Sequence, residues 1–131
     1  MTGLVVVTHA GLAVELLKAA AMICGDLENC EAVELHPDDP ADQLMGRISQ
    51  AVERVGSENV MIMTDMFGGT PSNTGISFLK EGSVEVLTGV NLPLLVEFIS
   101  RRHKLPLDEL ASVLQRCGRE SIIVAGEFLK K

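Results

Sequence analysis

Leu4-Val5-Val6-Val7-Thr8-His9 is the stretch that decides the fold. An unbroken apolar run reads as a buried parallel strand, because a strand covered on both faces has no polar side to alternate with. A helical pattern begins directly after it, so His9 stands at the carboxyl end of a strand and at the start of a helix. In open α/β sheets chemistry collects at that end of the strands. The positive end of a helix dipole also favours an anion there. A neutral imidazole in this place can act as a nucleophile or a base. The same residue could equally be an N-terminal cap with no chemistry, so the rest of the chain has to decide.

Working outward from that run, strands and helices alternate. Residues 3–8 read as the first strand. Residues 10–24 read as a helix with Leu12, Leu16, Leu17, Ala20 and Ile23 inward, stopped by Gly25. Residues 31–36 alternate apolar and acidic side chains as a second strand, and Pro37-Asp38-Asp39-Pro40 is a turn. Leu44, Met45, Ile48, Val52 and Val55 recur at helical spacing, closed by Gly56. Val60-Met61-Ile62-Met63 is a second apolar run and hence a central strand, followed by the loop Thr64 to Gly69. Thr70 as N-cap and Pro71 as first helical residue open a helix to about residue 80. Val84 to Leu87 reads as a fourth strand, 93–103 and 107–117 as helices, and Ile122-Ile123-Val124 as a late strand. This order predicts an α/β fold: a single-domain, doubly wound, mostly parallel sheet over residues 1–131 with helices on both faces. Three loops then meet at one sheet edge: Thr8-His9-Ala10, Asp65 to Asn73, and Gly89 to Pro93.

Composition narrows the function. The 131 residues suit one domain and are too few for two. An apolar content of 47% excludes a disordered chain. No apolar run approaches the roughly 20 residues that cross a bilayer, and no basic-then-apolar leader opens the chain. The expectation is a soluble cytoplasmic protein. A formal net charge of −7 and an aromatic content of 3%, without Trp or Tyr, argue against nucleic acid, which asks for a basic face and stacking platforms. Cys24, Cys30 and Cys117 are odd in number with no C-x-x-C pair, so neither a disulfide framework nor a structural zinc site is expected. They read as inert packing residues.

Two further segments build a site around His9. Asp65 follows the second apolar run by one residue. Its carboxylate can accept a hydrogen bond from one ring nitrogen of His9, fixing the tautomer and freeing the other nitrogen. The alternative is an aspartate that satisfies only its own loop. In Gly68-Gly69-Thr70-Pro71-Ser72-Asn73, two glycines let backbone approach a ligand, a helix begins, and Thr70 and Ser72 add hydroxyls. That combination suits a phosphoryl group. It is neither a Walker loop nor a dinucleotide fingerprint. His36 ends the second strand and reads as a surface-loop residue. His103 with Arg101, Arg102 and Lys104 reads as a solvated helix end. Met61, Met63 and Met66 read as core or rim filler. No acidic cluster resembles a magnesium site, so no metal or cofactor is expected.

Thr8-His9, Asp65-Met66-Phe67-Gly68-Gly69-Thr70-Pro71-Ser72-Asn73 and Gly89-Val90-Asn91-Leu92-Pro93 resemble the IIA domain of the mannose-type phosphotransferase system. The resemblance runs through nearly the whole chain, including Cys117-Gly118-Arg119-Glu120. It implies that His9 is phosphorylated by phospho-HPr and passes the phosphoryl group to a IIB component, with the membrane IIC and IID components involved indirectly. It implies that Asp65 is the hydrogen-bonded partner of His9 and that Gly68, Gly69, Thr70 and Ser72 line the phosphoryl pocket. Phe67, where members often carry Trp, and Asn91 would form the docking surface. Members commonly dimerise by exchanging a last strand, for which Glu120 to Phe128 would serve here, antiparallel to its neighbour. Two alternatives stay open: a regulatory IIA protein that reports phosphorylation state without sugar transport, and the phosphocarrier subunit of a dihydroxyacetone kinase.

Overall fold

The two apolar runs become the middle of a parallel sheet. A computed structural model describes residues 1–130. Strand β1 (Gly3–His9) lies beside β3 (Val60–Thr64), with β2 (Cys30–Leu35) outside β1 and β4 (Val84–Thr88) outside β3. The order is β2-β1-β3-β4 and every pairing is parallel. Six helices follow: α1 (Leu12–Cys24), α2 (Ala41–Val55), α3 (Thr70–Ile76), α4 (Leu92–Arg101), α5 (Leu107–Glu120) and α6 (Ala125–Leu129).

Successive strand side chains point to opposite faces, which is why the central strands need to be apolar throughout. Leu4, Val6, Met61 and Met63 pack with α1, α4 and α5 through Ala13, Ala20, Leu94, Phe98 and Leu110. Val5, Val7 and Ile62 pack with α2 through Leu44, Ile48 and Ala51. Each large apolar side chain so buried contributes about 1.5–3 kcal/mol. The sheet is therefore doubly wound with helices on both faces, as the sequence predicts. From β1 the chain winds outward to β2 and then crosses back to β3 on the other side. The carboxyl ends of β1 and β3 flank this reversal, where open α/β sheets leave a crevice.

Several local expectations are corrected. The helix after β1 starts at Leu12, because Ala10 holds a left-handed φ of +49° that ends the strand without entering the helix. Leu12 and Ile23, expected inward, are exposed. Cys24, expected to pack, is also exposed. Helix α3 stops at Ile76 instead of running to about residue 80. Beyond it, Phe78 and Leu79 N–H bond three residues back, to Gly75 and Ile76 carbonyls, the tightened pattern of a fading helix end. Gly69 is the N-cap and Thr70 the first helical residue, with no side-chain cap bond.

Ile122-Ile123-Val124 forms no strand. Val124 is locally extended, but the three side chains are exposed and the chain turns into α6. β-branched residues favour extension, yet a strand exists only against a partner backbone, and none lies alongside. Arg102, expected in solvent, is 4% exposed. Its guanidinium donates to the carbonyls of Thr2, Glu28 and Asn29 at 2.8–3.2 Å, binding the amino-terminal ends of β1 and β2 to the end of α4. Its charge also lies over the Phe98 ring, 5.1 Å from the centroid.

Candidate active site

The local chain path frees His9 from helix capping. Thr8 Oγ1, buried, accepts the Ala13 N–H at 2.7 Å and so does the capping from the strand. The Ala10 N–H bonds to the Leu35 carbonyl at 2.7 Å, tying the turn to the end of β2. The His9 side chain is left 48% exposed, and the capping alternative for it falls away.

Asp65, one residue past β3, meets His9 across the reversal. Its Oδ2 accepts both the His9 backbone N–H at 2.9 Å and the ring at Nδ1 at 2.8 Å. Its Oδ1 accepts the Met66 N–H at 3.0 Å. A carboxylate can only accept, so Nδ1 carries the ring proton and Nε2 presents its lone pair outward. Burial pushes the Asp65 carboxyl up, but the bonds from the His9 backbone and ring and the charge of His9 outweigh it, and the group is held below its usual value. Asp65 is thus ionised at neutral pH and fixes both tautomer and ring plane.

The glycine turn crowds the free nitrogen. Gly68 has a φ of +89° with nothing near its missing side chain, so only backbone conformation asks for glycine there. At Gly69 the reason is space: a Cβ would stand 3.0 Å from His9 Cε1, 3.6 Å from Nε2 and 3.6 Å from Met66 Cγ. The turn's backbone therefore passes close enough to the His9 ring to leave no room for a side chain at Gly69. The first N–H groups of α3 lack intrahelical acceptors. Thr70 lines an open hollow of about 410 Å³ together with His9, Ala10, Leu35, His36, Pro37, Asp39 and Ala41.

Other candidates are distributed differently. Ser72 is fully buried and its Oγ has no hydrogen-bond partner, so its hydroxyl does not stand open beside His9. Phe67 and Met66 are exposed on the same turn. Asn91 caps α4, its Oδ1 accepting the Leu94 N–H at 3.0 Å, while its amide donates to Gly118 O and Ser121 Oγ, both at 3.2 Å. Its amide donors are committed to joining α4 and α5. The loop Gly89 to Pro93 packs through the Gly89 and Val90 N–H groups on the Thr64 carbonyl and does not line the His9 hollow. The turn after β2 does line it. The β1–β2 register, which sets His9 opposite Leu35, is what brings His36 there, and register was not readable from the sequence. Among the described residues no group of three His, Cys, Asp or Glu could hold a metal ion. No helix among them is long and apolar enough to cross a membrane.

A histidine oriented by a half-buried carboxylate, with its second nitrogen facing a glycine turn, suits transient covalent loading by an electrophile. Comparison with known proteins points the same way. Residues 3–115 match the family model described as PTS system fructose IIA component. The chain is 32% identical to the fructose-specific EIIA component of Bacillus subtilis, over 100% of this chain and 91% of the relative. It is 31% identical to the mannose-specific EIIAB component of Escherichia coli, covering 91% of this chain but 38% of that longer protein. Among solved structures, the PTS IIA protein associated with the fucose utilization operon of Streptococcus pneumoniae superposes with a TM-score of 0.84 at 29% identity, over 98% of this chain and 96% of that one. EIIA from Streptococcus agalactiae shares the fold with a TM-score of 0.89 at 21% identity, over 97% and 99% of the two chains. With the family model covering most of its length, the chain belongs to the mannose-type family of phosphotransferase-system IIA components.

Proposed function

We propose that the protein is a cytoplasmic phosphocarrier of a sugar phosphotransferase system, a single domain over residues 1–131 that takes a phosphoryl group from phospho-HPr onto His9 and hands it to a IIB component. The observation that carries this is the His9 pair: Nδ1 bonded to Asp65 at 2.8 Å and Nε2 left free beside Gly69. In the loading step the Nε2 lone pair attacks phosphorus. The P–N bond to the donor histidine breaks, and that nitrogen keeps the bonding pair. Unloading is the same displacement with His9 as leaving group. Such transfer asks for in-line positioning and charge stabilisation more than for further protein chemistry. The backbone N–H groups of Gly68, Gly69, Thr70 and Ser72 (Pro71 has none) and the Thr70 hydroxyl would supply part of that stabilisation.

Exposed Phe67 and Met66 on the turn suit an apolar contact with a docking protein. The reading includes a homodimer. Its support is the exposed apolar tail, Ile122, Ile123, Val124 and Phe128, and the open outer edge of β4. A hollow of about 550 Å³ lies there between β4 and α5. An unpaired strand edge and an unpartnered extended segment answer each other's needs when exchanged between copies.

The test is phosphotransfer. Labelled phosphoenolpyruvate with Enzyme I and HPr should label the protein on His9, and an added IIB protein should discharge it. The reading fails if wild type stays unlabelled with a functional donor, or if His9→Ala labels as well as wild type.

A further inference from the structure

We propose that His36 is a second functional imidazole of this site, a titratable counter-charge for the phosphoryl group carried on His9; this rests on the phosphocarrier reading above. Two histidines, each hydrogen-bonded to a carboxylate, border one hollow. His9 is oriented by Asp65, and His36 by Glu34, whose Oε1 lies 3.2 Å from the His36 Nε2. The backbone under His36 is fixed as well, since its N–H donates to Asp39 Oδ2 at 2.8 Å. Parallel pairing of β1 and β2 then sets this turn beside the end of β1, with the Ala10 N–H on the Leu35 carbonyl.

Charge makes the location matter. A phosphoryl group on Nε2 brings close to two negative charges into the hollow, which already holds the Asp39 carboxylate and has Asp65 behind the ring. The two arginines that share a hollow with His36 do not line the one beside His9. Arg47 donates to Asp39 at 3.1 Å and to the Glu34 carbonyl, and Arg54 is paired with Glu31 at 2.7 Å. Both line the neighbouring hollow, together with Glu34 and His36 itself. Apart from His9, His36 is the only one of the described residues lining the 410 Å³ hollow that has a side chain able to become positive. Histidine is the residue type whose charge changes between pH 5 and 8, so comparing acid with alkaline pH is the way to test for the counter-charge. In a dissociative transition state the phosphoryl oxygens lose charge. A cation beside them therefore holds the loaded state more than it helps its hydrolysis, in which water takes the phosphoryl group and Nε2 keeps the bonding pair and gains a proton.

The experiment compares the lifetime of phospho-His9 in wild type, His36→Gln and His36→Lys at pH 6 and pH 8.5, with His103→Gln in all three and the site of label assigned by mass spectrometry. The expected result is about a fivefold shorter lifetime for His36→Gln at pH 6, no difference at pH 8.5, and a long lifetime for His36→Lys at both. Equal lifetimes at pH 6 would overturn the proposal. So would an equal loss at both pH values, which marks a purely structural effect. Loading through HPr tests the carrier reading. Potassium phosphoramidate, which loads histidine without a protein donor, keeps the lifetime measurement decisive for His36 if HPr proves not to be the donor.

Discussion

Gly69→Ala is the sharpest perturbation of this site, because it adds one methyl group and nothing else. The backbone there has φ −85° and ψ 168°, which alanine adopts freely. The cost is therefore steric, and it falls on the nucleophile. A Cβ at 3.0 Å from His9 Cε1 is about half an ångström inside the usual carbon–carbon contact of 3.5–4.0 Å. The ring has to retreat by that much while still held at 2.8 Å by Asp65. The methyl also stands 3.6 Å from Nε2, the nitrogen that takes phosphorus in the proposed transfer. If a misplacement of 1 Å costs on the order of 10²-fold, half of it costs about tenfold, and the obstruction adds to this. Folding stability should change by less than about 1 kcal/mol, since alanine also restricts the unfolded chain. The assay is the initial rate of labelling by phospho-HPr, alongside thermal unfolding. Gly68→Ala is the control: with φ +89° and no contact within 4 Å, it should lose about 1 kcal/mol of stability with little steric effect on His9. Wild-type labelling rates for Gly69→Ala at an unchanged melting temperature would refute the claim that this close approach shapes the site.

Asp65→Asn keeps the shape but loses the ionised acceptor that sets the ring tautomer, and labelling should slow by about 10²–10⁴-fold in the same assay. The Asp65 carboxyl is depressed in the fold, so its contribution to stability is present above the unfolded carboxyl value and is lost as pH falls through the folded one. An acid unfolding profile of Asp65→Asn should lack that part of the wild-type decline, and superimposable normalised profiles would contradict this. Arg102→Met should cost about 3–5 kcal/mol, because it leaves the Thr2, Glu28 and Asn29 carbonyls without their donor; a calorimetric melting temperature within about 3 °C of wild type would show that this latch matters little. If the tail is exchanged between copies, Ile122→Asp combined with Ile123→Asp should convert a dimer to a monomer in light scattering, while a wild type that is monomeric at all concentrations refutes the exchange.

What the sequence made legible followed from burial. The runs at Leu4 and Val60 could only be central strands, and from them came the parallel sheet and the meeting of His9 with Asp65. The corrections come from groups whose role depends on a neighbour far along the chain. Arg102 reads as a solvated helix end until three carbonyls of other segments converge on it. Ile122 to Val124 carries strand propensity with no backbone to pair with. His36 looks like a turn residue until the β1–β2 register sets it beside Ala10. Thr70 and Thr8 divide the two helix starts against expectation, since Thr8 caps α1 from within a strand and Gly69 caps α3 without a side chain. None of these is a local property, so no window of sequence contains it.

The His9–Asp65 pair joins residues separated by 56 positions, and it exists only once β1 and β3 lie side by side. In the proposed phosphocarrier, loading of His9 is therefore a report on tertiary assembly. During synthesis, a nascent chain can display the histidine long before the carboxylate that orients it has left the ribosome. Competence to carry phosphate should then switch on in one step, when the third strand docks. Label uptake timed against chain length would read the order in which this sheet is built.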